Sequence, residues 1–172
     1  SGFSVGDLYL GKVRKLMPGM NAAFVEVGFE KDGFLHYTDL SPYAKSLLKF
    51  TNMCMQQPKE AAPLNFSKFN VEAEIVKTGK INEVMSGKPN VLVQILKEPI
   101  ASKGPRLSCE ISLPGRFVVV TPFNNIIAVS KKIYNSEERR RLQKIVDAIK
   151  PKNFGVIVRT AAEGKNTAEL HE

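Results

Sequence analysis

Apolar and polar positions alternate with a period of two through much of the first forty residues, which predicts β-strands. Leu8, Leu10 and Val13 mark one such run over 7–16, with Lys12, Arg14 and Lys15 exposed toward its end. Pro18-Gly19 is a turn signal. In a second run, 22–27, Phe24 and Glu26 fall on the face opposite Ala23, Val25 and Val27. A polar turn over 28–33 leads into a short third strand, 33–36. The spacing then changes. Over 41–55, Tyr43, Leu47, Leu48 and Phe50 recur at roughly helical intervals, and the stretch that follows is rich in Lys, Asn and Pro, with one candidate strand at 71–77. Residues 41–88 therefore read as an insertion. Alternation returns at 91–96. A loop with Pro99, Gly104 and Pro105 follows, then a strand over 106–111. Five strands with a helix inside the excursion fit an OB-type five-stranded β-barrel over 1–111, a pattern that other small β-barrels share.

The last third has a different pattern. A β-branched strand at 116–121 and a short strand at 126–129 precede Lys131 and Lys132. Asn135 and Glu138 have the spacing of a capping box. Leu142, Ile145, Val146 and Ile149 then form the stripe of a half-buried helix, and Pro151 stops it. A final strand at 155–158 runs into Arg159, Thr160 and a loop containing Gly164. Residues 112–172 thus read as a small α+β unit, so the chain is mainly β with an α+β part.

Composition narrows the classes. Of 172 residues, 43% are hydrophobic, enough for a real core. No run approaches the roughly 20 apolar residues of a membrane span. No signal peptide is seen, and Ser1-Gly2 has the look of a cloning remnant. Cys54 and Cys109 lie far apart, and His36 and His171 lack ligand spacing. Free thiols in a reducing cytoplasm are expected, with neither a disulfide framework nor a metal site. The net charge of +8 is uneven: residues 1–88 hold 11 basic and 9 acidic side chains, residues 89–172 hold 14 and 8. The surplus favours polyanionic partners.

Candidate chemistry follows from these placements. OB-folds bind single strands by stacking bases on aromatic rings while cations track the backbone. Phe24 and Phe34, on neighbouring strands, are either such a platform or core residues. Lys97 and Lys103 flank a loop where ammonium groups neutralise phosphates or stand in water. Arg159 follows an apolar strand directly, and its fork matches phosphate oxygens, with the Thr160 hydroxyl as a further donor. An ordinary surface arginine is the alternative. The run Arg139-Arg140-Arg141 reads as a solvated helix face or, less simply, a nucleic-acid contact. Asp7, Asp32, Asp39 and Asp147 are scattered, with no carboxylate cluster for magnesium and no glycine-rich phosphate loop. The residues alone point to a nucleic-acid binder without a catalytic set.

Several separated stretches resemble the ribonuclease E/ribonuclease G family, in the family's order. They are GDLYLGKV at 6–13, MPGMNAAFVEVG at 17–28, EKDGFLH at 30–36, VQILKEP at 93–99, KGPRL at 103–107, ISLPG at 111–115 and VIVRTAAEG at 156–164. The last is more similar to the ribonuclease G branch. The resemblance covers most of the chain except about 41–80. It implies an S-one-type RNA-binding barrel followed by a 5′-sensor domain, taken from the front part of an endoribonuclease that processes ribosomal RNA precursors and degrades messenger RNA. It further implies that Phe24, Phe34, Lys97 and Lys103 contact single-stranded RNA. Arg159 and Thr160 would grip a 5′-monophosphate, and Gly115 and Val119 would line that pocket. Lys131 and Lys132 would be further basic contacts. The family's cleavage residues lie further on, so this stretch is expected to bind RNA without cutting it. The longer enzyme is expected to use magnesium, to share zinc between subunits and to be a homo-oligomer.

Two other classes remain. One is a stand-alone RNA-binding adapter or chaperone with no interest in 5′ ends. The other is a protein-interaction module whose Phe24 and Phe34 meet a partner chain, which salt dependence would separate from RNA binding.

Overall fold

The computed structural model describes residues 2–172, which divide into two compact units. The first holds the chain up to Leu64 together with Asn70–Ile111; the second holds Asn65–Phe69 and Ser112–Glu172.

In the first unit, β1 (Leu8–Met17), β2 (Ala22–Glu26), β3 (Gly33–His36), β4 (Asn90–Lys97) and β5 (Arg106–Ser108) close into a barrel in the order β1-β2-β3-β5-β4. The alternation read from the sequence explains the inside: Val13, Ala23, Val25, Leu35, Val91, Val93, Ile95 and Leu107 are all buried. Closure occurs where β3 and β5 pair in parallel through Phe34 and Arg106. A Cβ on Gly33 would stand 2.6 Å from a Leu107 methyl, so the barrel seam requires glycine there.

The insertion adds helix α1 (Ala44–Gln56), whose Ala44, Ser46, Leu47 and Leu48 are buried, and the single turn α2 (Ile81–Met85), whose Ile81 and Met85 are buried. Asn52 ties α1 to the barrel, donating to the carbonyl of Asn90 at 3.0 Å. The candidate strand at 71–77 does not form. Val71 and Val76 are 52% and 64% exposed, and among the described residues no strand pairs with this segment. The segment is instead held at points: Ile75 N–H donates to the Pro42 carbonyl at 3.0 Å, Glu72 N–H to the Ser46 hydroxyl at 2.8 Å, and the Tyr37 hydroxyl to the Val76 carbonyl. β5 stops at Ser108, short of the expected 111, because Cys109 N–H turns to the Asp39 carbonyl at 3.0 Å.

In the second unit, β6 (Leu113–Pro114), β7 (Val118–Pro122), β9 (Phe154–Val158) and β8 (Ile127–Val129) form a sheet in that order. Helix α3 (Ser136–Ile149) packs Leu142 and Val146 against Val156, Val158, Ile133, Ala162 and Leu170. The two-residue β6 and the short α4 (Thr167–His171) were not foreseen from the sequence. Asn135 caps α3, accepting from Glu138 N–H at 3.0 Å, but the reciprocal half of the expected capping box is missing because the Glu138 carboxylate is engaged elsewhere. A complete capping box forms instead at α4, between Asn166 and Glu169.

Residues 65–69, which the sequence pattern places in the insertion, pack in the second unit. The Phe66 ring lies 4.3 Å from that of Phe154 and 4.5 Å from that of Phe123, and Phe69 lies 5.4 Å from Phe123. Asn153 is 1% exposed and left-handed (φ 69°); its amide donates to the carbonyls of Phe66 and Phe69 at 3.0 and 2.9 Å.

Candidate nucleic-acid interface

Strand register lines up one residue from each barrel strand. Lys15 on β1 pairs with Phe24 on β2, Phe24 with Phe34 on β3, Phe34 with Arg106 on β5, and Arg106 with Lys97 on β4. Directly opposed residues share a face and lie close enough for their side chains to interact. The row is therefore a belt of two aromatic rings with one cation beyond Phe24 and two beyond Phe34. Register shifts occur between Val13 and Lys15 and between Ile95 and Lys97, at the two ends of the row. Such bulges re-aim side chains away from strict alternation.

Both phenylalanines are half-buried on the outer face, because Ala23, Val25 and Leu35 take the inner positions. Their ring centroids are 5.8 Å apart at 64°, an edge-to-face pair. That geometry leaves ring surface accessible, as a stacking platform requires. Phe34 N–H donates to the Pro105 carbonyl at 2.8 Å, which holds the loop bearing exposed Lys103 beside this ring. Lys103 also closes a small bridge with Ile100.

Arg106 joins this row, a site residue that the sequence pattern does not single out. Its Nε and Nη2 both donate to Asp39 Oδ2, at 3.0 and 2.9 Å. Asp39 thus fixes the plane of the fork, and among the described residues no hydrogen bond engages Nη1. An arginine one place before an inward-facing leucine, Leu107, was the available signal. Arg14 behaves differently: it bridges Glu26 at 2.7 Å and Asp32 at 3.0 Å.

The second set of candidates lies at one end of the sheet of the second unit. β8 and β9 run parallel, Val129 beside Val158, so Lys131 and Lys132 leave β8 at the end where Arg159 and Thr160 leave β9. β7 runs antiparallel to β9 and begins there. Arg159 N–H donates to the Phe117 carbonyl at 2.8 Å, and its guanidinium to the Gly115 carbonyl at 2.6 Å. Arg159 and Gly115 are thereby brought together, with one of the five guanidinium N–H donors used. Val119 pairs with Ile157 and with Pro114, placing it on the face of the sheet that carries Arg159, away from the core formed by Val156 and Val158. Thr160 is exposed at the start of a helical turn (Thr160–Ala162). Lys131 and Lys132 are exposed in the turn after β8, with no contact linking their ammonium groups to Arg159.

Within the arginine run of α3, Arg140 is exposed as a solvated face requires, whereas Arg139 and Arg141 are engaged by the protein. The Arg139 guanidinium donates to the carbonyls of Val129, Ser130 and Ile133 at 3.2, 2.6 and 3.0 Å, fixing the turn that bears Lys131 and Lys132. Arg141 makes a two-point pair with Glu138. Glu138 also accepts from Gly164 N–H, so it holds the loop that follows Arg159 and Thr160. The Arg141 hydrogen bond, then that of Gly164, pushes the Glu138 carboxyl down to about 2.

Among the described residues, no three His, Cys, Asp or Glu side chains come together to hold a metal. Among the described residues, no helix is long and apolar enough to cross a membrane.

A model described as the ribonuclease E/G family matches residues 112–172. Ribonuclease E of Nostoc is 38% identical over 162 residues, 94% of this chain and 19% of that protein. Ribonuclease G of Escherichia coli K12 is 35% identical over 166 residues, 96% of this chain and 30% of that protein. Ribonuclease G of Haemophilus influenzae is 34% identical over 168 residues, 98% and 30% respectively. The chain spans between about a fifth and a third of the length of these curated relatives.

Proposed function

Because the chain belongs to the ribonuclease E/G family, we propose that it is the RNA-binding and 5′-end-sensing part of an endoribonuclease. The observation that carries the RNA-binding reading is the registered belt Lys15–Phe24–Phe34–Arg106–Lys97. Bases stack on the two rings while the cations neutralise successive phosphates, and neither interaction demands a particular sequence. In the second unit, Arg159 meets a terminal monophosphate with its remaining donors, and Thr160 adds a hydroxyl. Gly115 and Val119 present backbone and a small apolar surface to the terminal nucleotide.

In this reading the parent enzyme acts in the cytoplasm as a homo-oligomer, on ribosomal RNA precursors and messenger RNA. Residues outside this stretch cut the strand and hold the magnesium and any shared zinc. The stretch alone binds single-stranded RNA and leaves it intact.

The test is fluorescence anisotropy with one short single-stranded RNA bearing either a 5′-monophosphate or a 5′-hydroxyl. A charge-assisted hydrogen bond contributes about 1.5–3 kcal/mol, so the phosphate should tighten binding by roughly tenfold or more. Arg159→Ala should remove that increment and leave the hydroxyl RNA unaffected. Arg159→Lys should restore only part of it, since the charge returns without the fork. Equal binding of both RNAs by the wild type would reduce the protein to a general RNA adapter.

A further inference from the structure

The aromatic face does not end at Phe34. The His36 ring lies 6.3 Å from that of Phe34, and His36 Nδ1 is 2.8 Å from the Thr38 hydroxyl. Thr38 belongs to the wall of a cavity of about 350 Å³. The platform therefore leads, one contact at a time, into an open cleft.

That space is built by the insertion. One wall comes from the barrel side, Tyr37, Thr38 and Leu40, with Glu110 beside them; the other comes from Pro42 and residues 75–77. The second wall is held by the Ile75–Pro42 backbone bond at 3.0 Å and by the Tyr37 hydroxyl on the Val76 carbonyl. The segment that fails to form a strand thus has a definite place, facing the end of the aromatic row.

We infer that this cavity receives one nucleobase of the single strand lying on Phe24 and Phe34, so that the insertion lets the barrel choose among bases. The inference rests on the RNA-binding reading above. The volume lies within the range of small-ligand sites, which are mostly apolar with a few polar groups that fix orientation. Leu40, Pro42, Ile75 and Val76 supply apolar walls for the faces of a ring. Thr38, Lys77 and Glu110 supply polar groups for its edge. Single-stranded RNA is read in this way, with splayed bases stacked on side chains and hydrogen-bonded along their edges. The Glu110 carboxylate accepts hydrogen bonds and donates none, so it selects a base carrying an exocyclic amine. Cytosine offers it the amine at C4; uracil offers only its N3–H, set between two carbonyls that repel the carboxylate.

The experiment compares oligocytidylate and oligouridylate of about ten nucleotides, a length that suits one OB fold, by fluorescence anisotropy. These strands differ at the base edge while stacking on aromatic rings in similar fashion. The wild type should prefer oligocytidylate by about fivefold, the yield of roughly one net hydrogen bond. Glu110→Ala and Val76→Trp should each bring the ratio near one, the first by removing the acceptor and the second by filling the space. Both positions are exposed, so the barrel does not depend on them. Phe34→Ala should weaken both strands alike. Equal wild-type affinities, a preference for oligouridylate, or a preference that survives both substitutions overturns the inference. A wild type that binds neither strand overturns the RNA-binding reading as well, and Phe34→Ala then has no affinity to reduce.

Discussion

Asn153 provides a test of how the insertion is anchored. It combines two demands on one residue: a left-handed backbone at φ 69°, and a buried side-chain amide donating to the carbonyls of Phe66 and Phe69 at 3.0 and 2.9 Å. Asn153→Ala removes both donors. Losing two buried hydrogen bonds costs about 1–3 kcal/mol in all, and alanine lacks the local hydrogen bonding that lets asparagine enter the left-handed region, where a Cβ costs up to ~1–2 kcal/mol. Part of the first cost is recovered if the 65–69 segment lifts and its carbonyls meet water. We therefore expect a loss of about 2–4 kcal/mol in the second unit. Asn153→Gly should be less damaging by about 1 kcal/mol, because it relieves the backbone and loses only the hydrogen bonds. Urea unfolding followed by far-UV circular dichroism measures the order wild type, Gly, Ala. Trypsin supplies a second readout: Lys68 lies inside the helical turn Phe66–Lys68 and should be cut slowly in the wild type and quickly in both variants. If Ala proves more stable than Gly, the backbone argument fails. If Lys68 is cut equally fast in all three, Asn153 does not anchor the segment.

Arg106→Ala should weaken single-stranded RNA binding and lower the slope of log affinity against log salt by about one, as expected for one lost phosphate contact; an unchanged slope in an anisotropy titration removes Arg106 from the RNA path. Glu138 titrates at about 2 against an ordinary 4.5, with the Arg141 hydrogen bond as the main cause. A depressed carboxyl contributes above its unfolded pKa and loses that contribution as pH falls through the folded one. Amide exchange at Gly164, corrected for intrinsic pH effects, should accordingly speed up between about pH 4.5 and 2 in the wild type and be fast throughout in Glu138→Gln. Burial, and then the nearby Asp39 charge, pushes the Cys109 thiol up to about 12, whereas Cys54 is exposed. A thiol reagent at mildly alkaline pH should label one cysteine in the folded protein, Cys54, and two after denaturation; rapid labelling of Cys109 would refute its burial.

Elements whose pattern repeats are legible along the chain. Inward residues such as Val25, Leu35, Val93 and Leu107 alternate with outward ones, and a barrel of five strands is what buries them. The helical stripe from Leu142 to Ile149 did the same for α3, and the parity of Phe24 with Glu26 put that ring outside the core. Periodicity works for these because burial acts at every turn or every second residue. It is silent about pairing between distant strands. Only the tertiary structure aligned Lys15, Phe24, Phe34, Arg106 and Lys97, since cross-strand register and its two bulges depend on barrel closure. Only the folded chain turned Arg139 inward onto three carbonyls, although in sequence it looks like its neighbour Arg140. The same holds for residues 65–77. Part of that segment is held in the second unit by a ring stack and a buried asparagine, and part is held in the first by isolated hydrogen bonds. Such contacts join residues dozens of positions apart and leave no local pattern to read.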